Sequence, residues 1–278
     1  MSKLAISDPC EQAALDIAPF DCWKLPGGDV SLLFFRIDGK FLLRFPRQAD
    51  FRIDPGSDQV SAAPIPGMSH DAVTTIFVNS VQPMMRNHSG GLNLHGSAVG
   101  IGSGCAAFLG ISRSGKTTLA GAMAKQGHPF LTEDVIELEQ SEGAYMLKPC
   151  RPILRLFDDS ASFLLDREPA KEARKMPLDA SQDLPYADEP APLSAIYILG
   201  QGAVQDVELH ELGEAQALMQ LMQHSFILDS EDSERLKGHF ARLAQLAQAV
   251  RCFTLDYPRE YSLLPRVREV ILAAFDPR

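Results

Sequence analysis

The most constraining feature of the sequence is the octapeptide GISRSGKT at residues 110–117, which matches the phosphate-binding pattern G-x-x-x-x-G-K-[ST] at every fixed position. The apolar stretch 105–109 before it indicates a buried strand, and the stretch 118–126 after it indicates a helix that ends at Gly127. In that order, backbone N–H groups of the loop and of the helix start point at one spot and favour an anion there. The sequence therefore predicts a nucleotide-binding site. The alternative is a glycine-rich turn with a solvated lysine.

The side chains of this loop have distinct expected contacts. Lys116 would place a positive charge on the β- and γ-phosphates, and the Thr117 hydroxyl would be a ligand of Mg²⁺. We expect ATP as the nucleotide, with another phosphate donor left open. The remaining residues predicted to bind it are Gly110, Ser112, Arg113, Ser114, Gly115 and Thr118.

Composition narrows the class of protein. The 278 residues are 45% hydrophobic and 22% charged, which is ordinary for a globular protein. The net charge of −10 argues against an extended nucleic-acid surface, since such surfaces are basic. The five cysteines include no C-x-x-C pair and indicate reduced thiols in a cytoplasmic protein. A signal peptide is not expected, nor is a membrane span, because no apolar run approaches about 18 residues.

The pattern of strands and turns predicts two domains, at residues 1–88 and 89–278. In the first, Asp38-Gly39 is a hairpin signal between two apolar stretches, and residues 21–62 are expected to form a small antiparallel sheet. Residues 1–20 show little pattern and are expected to be a loose arm. A helix from Ser69, its N-cap, to about residue 86 would link the two domains.

The second domain reads as α/β, an α+β mixed sheet around the phosphate loop. Strands 92–99 and 104–109 are expected to form a hairpin that leads into the loop. Further strands are predicted at 128–135, 145–148, 193–199, 204–209 and 252–255, and further helices at 213–223, 234–250 and 265–275.

Two adjacent acids, Glu133 and Asp134, close the predicted strand 128–135. Mg²⁺ in nucleotide sites takes one or two carboxylates together with substrate phosphates. Neighbouring residues of a strand point to opposite faces, so the two acids should have different tasks. We assign Asp134 to Mg²⁺ and Glu133 to orienting or deprotonating an acceptor hydroxyl, with the reverse order open. The alternative is that both acids only solvate a strand end.

His95 is the third candidate, 21 positions before Lys116. If strands 92–99 and 104–109 are neighbours, its imidazole can approach the loop or Glu133, and a carboxylate–imidazole pair would set the proton affinity of the base. A structural histidine is the alternative. Arg155 and the Arg174-Lys175 pair could neutralise phosphate or grip an acidic substrate, or be surface charges.

Taken together, His95-Gly96, the loop, Gly127-His128 and Glu133-Asp134 resemble the catalytic core of the HPr kinase/phosphorylase family. Residues 94–99 and 149–156 are similar to the L-H-A/G-S-A-V and P-x-x-P-x-x-x-L segments of related bacterial kinases, some of which phosphorylate a lasso-peptide precursor. The chain departs from the family in having Glu133 where the HPr enzymes have Asp, and in lacking their C-terminal signature.

The resemblance implies a fold related to phosphoenolpyruvate carboxykinase and catalytic roles for His95, Lys116, Glu133 and Asp134. It implies an ATP- and Mg²⁺-dependent kinase that phosphorylates a serine of a peptide or small protein, with a lasso-peptide precursor as one candidate and HPr itself not expected. It also suggests a homo-oligomer. From the net charge and the apolar runs, neither nucleic acid nor membrane is expected as a partner. A nucleotide-binding regulator without acceptor turnover and a small-molecule kinase are the alternatives.

Overall fold

The structure is a computed structural model that describes residues 3–25, 27–166, 176–179 and 184–275. The chain divides into two compact units, Met1–Met85 and Arg86–Arg278. The Arg174-Lys175 pair lies outside the described residues. None of the described helices is long and apolar enough to cross a membrane.

The first unit is built on a six-stranded sheet. Its strands run in the spatial order β1-β6-β5-β4-β3-β2, and each neighbouring pair is antiparallel except β1 and β6, which are parallel. The strands are β1 (Lys3–Ile6), β2 (Asp21–Lys24), β3 (Val30–Ile37), β4 (Lys40–Phe45), β5 (Ala49–Ile53) and β6 (Gln59–Pro64).

The predicted hairpin in this sheet is confirmed, since β3 pairs with β4 across the turn at Asp38-Gly39. The expectation of a loose arm over residues 1–20 is wrong for Lys3–Ile6, which pairs with Gln59–Ala62. A four-residue edge strand, half-buried on one face only, gives almost no local signal, because its partner lies more than fifty residues away.

Helical structure follows this sheet. α1 (His70–Ile76) begins at Ser69, whose hydroxyl accepts the N–H of Ala72 at 3.2 Å, so the predicted N-cap is confirmed. A π-helical turn, Phe77–Val81, separates α1 from α2 (Gln82–His88), where the sequence predicted one continuous helix.

The second unit carries a mixed sheet with helices on both faces, so the expected α/β class is confirmed. Its strands are β7 (Leu92–Ile101), β8 (Gly104–Leu109), β9 (Phe130–Thr132), β10 (Val135–Ser141), β11 (Ala144–Lys148), β12 (Ile153–Leu156), β13 (Met176–Asp179), β14 (Ala191–Leu199), β15 (Glu208–Glu211) and β16 (Arg251–Asp256). Its described helices are α3 (Lys116–Lys125), α4 (Asp158–Leu165), α5 (Glu214–Gln223), α6 (Ser233–Ala249) and α7 (Leu264–Ala274).

The order of strands in the large sheet is β11-β10-β7-β8-β14-β16-β15, with β9 also paired to β7, while β12 and β13 form a separate ribbon. β7 and β8 form the expected antiparallel hairpin. β8, β14 and β16 are parallel. Their carboxyl ends therefore meet at one edge of the sheet, which is where ligands bind in open α/β sheets.

Alternation along β8 builds the core on both sides of this sheet. Phe108 is fully buried with Leu119 of α3, while Leu109 on the opposite face belongs to the same cluster as Leu243 of α6. Complete burial of a Phe side chain stabilises the fold by roughly 1.5–3 kcal/mol. β8 is thus fixed from both faces, and so is the point from which the phosphate loop leaves the sheet.

Gly96 is required for the close packing of β7 against its neighbours. A Cβ atom at this position would lie 2.6 Å from the carbonyl oxygen of Phe108 and 2.6 Å from a methyl group of Ile136. We therefore expect Gly96→Ala to lower the free energy of unfolding by about 1–3 kcal/mol, measured by urea titration. Gly213→Ala is the matched control, because Gly213 has φ −68° and open space around it. Equal unfolding midpoints for the two variants would contradict this packing.

Candidate active site

The phosphate loop leaves the sheet at the carboxyl end of β8 and enters α3 at Lys116. Its path uses left-handed backbone angles, with φ 152° at Gly110 and 91° at Gly115. A Cβ atom on Gly110 would lie 2.6 Å from the Ser114 hydroxyl oxygen. Both fixed glycines of the motif are therefore needed for this conformation.

A cleft of about 940 Å³ opens on the loop. Of the candidate residues named from the sequence, nine line it: His95, Ser112, Arg113, Gly115, Lys116, Thr117, Thr118, Asp134 and Arg155. Gly110 and Ser114 lie within the loop without lining the cleft, and Glu133 contacts the loop from behind Thr117.

Lys116 is folded against the loop. Its ammonium group donates to the carbonyl oxygens of Gly110, at 2.7 Å, and Ile111, at 3.0 Å, and the residue is buried. Arg113 takes a left-handed conformation, φ 67°, and its guanidinium lies 5.8 Å from the centre of the Phe157 ring. Two cationic groups thus belong to the loop and its junction with α3, and both residues line the cleft.

Glu133 is tied to the start of α3. Its Oε1 accepts the Thr117 hydroxyl at 3.0 Å, and its Oε2 accepts the backbone N–H of Arg155 at 2.7 Å. The hydroxyl of Thr118, one residue further along α3, lies 3.0 Å from that of Ser160. Glu133 and Thr117 therefore present two hard oxygen atoms side by side.

The acidic pair sits in a turn, which differs from the predicted strand 128–135. β9 ends at Thr132, Asp134 has φ 64°, and the N–H of Val135 donates to the Glu133 carbonyl at 2.8 Å. The strand-alternation argument for separating the two acids is therefore wrong, and the turn separates them instead. Asp134 lines the cleft and forms an ion pair with the guanidinium of Arg155.

His95 projects from β7 beside this turn. Its Nδ1 lies 2.9 Å from the carbonyl oxygen of Asp134. A carbonyl oxygen can only accept, so Nδ1 carries the hydrogen, and in the neutral ring the proton-accepting lone pair is on Nε2. The edge-to-face ring of Phe226, with centroids 6.1 Å apart, further fixes the imidazole. His95 is thus oriented by main-chain and aromatic contacts.

His224 supports His95 from inside the unit. Its carbonyl oxygen accepts the backbone N–H of His95 at 2.7 Å, and its imidazole is buried. Burial, followed by the nearby charges of Lys116 and His95, lowers the pKa of His224 to about 4. Burial also lowers the pKa of His239 to about 4, with Arg242 as a further cause.

Because of these two buried histidines, we expect the protein to lose stability in acid. Their folded pKa values lie below the usual value of about 6.5, so the unfolded chain binds protons first as the pH falls. The free energy of unfolding should decrease between about pH 6.5 and pH 4, on the order of 2–3 kcal/mol for each buried histidine. Urea titrations across this range should show that His224→Asn flattens the slope. The matched variant is His210→Asn on the exposed strand β15, and equal slopes for both variants would contradict the expectation.

The cleft also contains residues to which no role was assigned from the sequence. Tyr257 and Arg259 follow β16, and Tyr261 donates to Asp159 at 2.8 Å and lies 3.2 Å from the Ser160 hydroxyl. These residues reach the loop because β16 runs parallel to β14 and β8. The apolar stretch 252–255 predicted the strand before them, but its pairing partner was not evident from the sequence.

The donor set at Thr117 fits a small hard cation. Within the described parts of the chain, no three His, Cys, Asp or Glu side chains gather into a group that could hold a metal ion. Mg²⁺ at a nucleotide site needs fewer protein ligands, because phosphate oxygens and waters complete its shell. The Thr117 hydroxyl and the Glu133 carboxylate are ligands of that kind, and they lie 3.0 Å apart.

Comparison with known proteins gives only a distant likeness. No protein-family model matches the chain, and no curated protein matches it. Among solved structures, the HPr(Ser) kinase/phosphatase from Coxiella burnetii matches with a TM-score of 0.39 and 10% sequence identity, over 65% of this chain and 94% of that one. At these values the likeness assigns neither a family nor an activity to this chain.

Proposed function

We propose that this chain is an ATP- and Mg²⁺-dependent kinase that transfers a phosphoryl group to a serine hydroxyl of a peptide or small protein. The observation that carries the proposal is the meeting of three groups in one cleft: the phosphate loop with Lys116, the carboxylate of Asp134 and the imidazole of His95. Phosphoryl transfer needs a phosphate cradle, compensating positive charge and a group that orients the nucleophile.

The donor half of the site would be the loop and the start of α3. Backbone N–H groups would bind the phosphates, and Lys116 would leave its loop carbonyls for the β- and γ-phosphate oxygens. Thr117 and Glu133 would hold Mg²⁺, which supplies positive charge to the phosphate oxygens when bound.

The acceptor half would be Asp134 and His95. Two assignments of roles to the acids were open. We favour Glu133 as the metal ligand, because its carboxylate accepts the Thr117 hydroxyl. We favour Asp134 as the residue that contacts the acceptor serine, because it lines the cleft. Asp134 would orient the serine hydroxyl and accept its proton. His95 would hold the Asp134 turn through Nδ1 and present Nε2 to the reacting groups.

The cleft volume of about 940 Å³ is at the upper end of the range of about 300–1,000 Å³ for small-molecule pockets. The preference for turnover over nucleotide binding alone therefore depends on Asp134 and His95 lining the same cleft as the loop. A serine in a peptide is preferred to a small-molecule hydroxyl on the sequence resemblance, with a lasso-peptide precursor as one candidate substrate.

The test is acceptor-dependent ADP release in the presence of Mg²⁺. Short peptides encoded beside this gene would be assayed as serine-containing and serine-to-alanine pairs. We expect ADP release with the serine peptide of one pair and background release with its alanine counterpart. Binding of ATP without release in any pair would indicate a regulator, and release driven only by small alcohols would indicate a small-molecule kinase.

A further inference from the structure

Tyr257 reaches the phosphate loop from the opposite end of the second unit's sequence. It follows β16, and β16 and β8 both run parallel to β14, so the residues after these strands meet at one edge. The side chain is 2% exposed and forms part of the cleft lining. A Cβ atom on Gly115 would lie 3.6 Å from the Tyr257 hydroxyl. The hydroxyl therefore lies against the last loop residue before α3.

The phenol ring is held in this position from two sides. The Arg259 guanidinium lies 4.2 Å from the ring centre. The carboxylate of Asp256 accepts the N–H of Tyr257 at 2.9 Å and that of Gly202 at 2.8 Å. Arg259 also donates to the carbonyl oxygens of Tyr257 and Gly200, at 2.6 and 2.5 Å. The backbone and the ring of Tyr257 are thus held in place before any ligand binds.

The Tyr257 hydroxyl forms no hydrogen bond with any residue that the structure describes. Its oxygen is not one of the described side-chain atoms that are both fully buried and without a partner, and the residue lines the cleft, so the hydroxyl is accessible from the cleft. Burial raises the pKa of this phenol to about 12, so the group keeps its proton at neutral pH. It can therefore donate a hydrogen bond at the phosphate loop.

We propose that the Tyr257 hydroxyl binds the phosphate chain of a nucleotide seated in the loop, at the α- or β-phosphate. This part of the phosphate chain is favoured because the loop backbone cradles the α- and β-phosphates, and Gly115 is the loop residue beside the hydroxyl. The inference rests on the proposed function only in requiring a phosphate ligand in the loop, and it holds whether or not an acceptor is turned over.

The test is the affinity of the Tyr257→Phe variant, measured by isothermal titration calorimetry. ADP, ATP and inorganic tripolyphosphate should each bind about tenfold more weakly than to the wild type, as expected for the loss of one hydrogen bond to a charged group. The melting temperature without ligand should not fall, because the deleted hydroxyl has no hydrogen-bond partner among the described residues. Unchanged affinity for ADP, or a loss confined to nucleotides and absent for tripolyphosphate, would overturn the proposal.

Tyr197→Phe is the matched control. This tyrosine is also buried in the same sheet, but its hydroxyl donates to the Ile271 carbonyl at 3.3 Å, away from the cleft. It should bind all three ligands like the wild type, and an equal loss in both variants would overturn the assignment. Nucleotide binding without phosphoryl transfer would contradict the kinase proposal alone, whereas a wild-type protein that binds none of these ligands would contradict both.

Discussion

Replacing Lys116 by alanine should lower the rate of phosphoryl transfer by about 10³-fold, which is the largest effect expected of any single substitution here. The ammonium group is buried and held over the loop by the carbonyls of Gly110 and Ile111. Loss of one preorganised electrostatic contact to the transferring group typically costs 10²–10³-fold, and Lys116 would contact two phosphates. Steady-state turnover with saturating ATP would measure the loss.

The control for this prediction is Lys125→Ala at the other end of the same helix. Lys125 donates to the Phe163 carbonyl and pairs with Asp166, outside the cleft. We expect near wild-type turnover from this variant. A Lys116→Ala protein that keeps its melting temperature and more than a tenth of wild-type turnover would contradict the role assigned to Lys116.

Asp134→Asn should lower turnover by about 10²–10³-fold while changing the ATP affinity less than threefold. The substitution removes the negative charge and the group that would take the proton of the serine hydroxyl. A general base of this kind raises the reaction rate by roughly 10²–10⁴-fold. Asparagine tolerates the left-handed conformation at φ 64°, so the turn beside His95 should persist. Turnover and calorimetric ATP affinity, compared in the same preparation, would check the prediction.

Asp166→Asn is a close control, since Asp166 is also left-handed, at φ 50°, but pairs with Lys125 outside the cleft. Glu133→Gln provides the contrast. Glu133 contacts Thr117, so its substitution should reduce the gain in ATP affinity that Mg²⁺ provides. If Asp134→Asn instead lost the Mg²⁺ dependence while Glu133→Gln kept it, the two acids would have the reverse roles.

Local patterns predicted much of the second unit. The hydrophobic spacing of residues 234–250 predicted a helix that the structure has at Ser233–Ala249, and the apolar run 193–199 predicted the strand Ala191–Leu199. The phosphate loop could also be found from local sequence, because its glycines permit a conformation that depends on few distant contacts. The predicted strand 204–209 lies instead at Glu208–Glu211, where an exposed edge gives a weak pattern.

Features that depend on distant pairing could not be predicted from the sequence. Tyr257 lies 142 residues after Gly115, and only the parallel pairing of β14 with both β8 and β16 brings them together. The roles of Glu133 and Asp134 likewise depend on the turn after β9, whose left-handed residue gave no sequence signal. The sequence pattern predicted which residues lie near the phosphate loop. It did not predict which side-chain atoms contact each other there.

Phosphoryl transfer is tested most directly by locating the label after incubation with γ-labelled ATP, Mg²⁺ and the serine peptides. Wild-type protein should place the label on one peptide serine, and Lys116→Ala and Asp134→Asn should do so at less than a hundredth of that rate. Label that stays in ATP or appears only as inorganic phosphate, from wild-type protein that binds ATP, would contradict a phosphoryl-transfer site in this cleft.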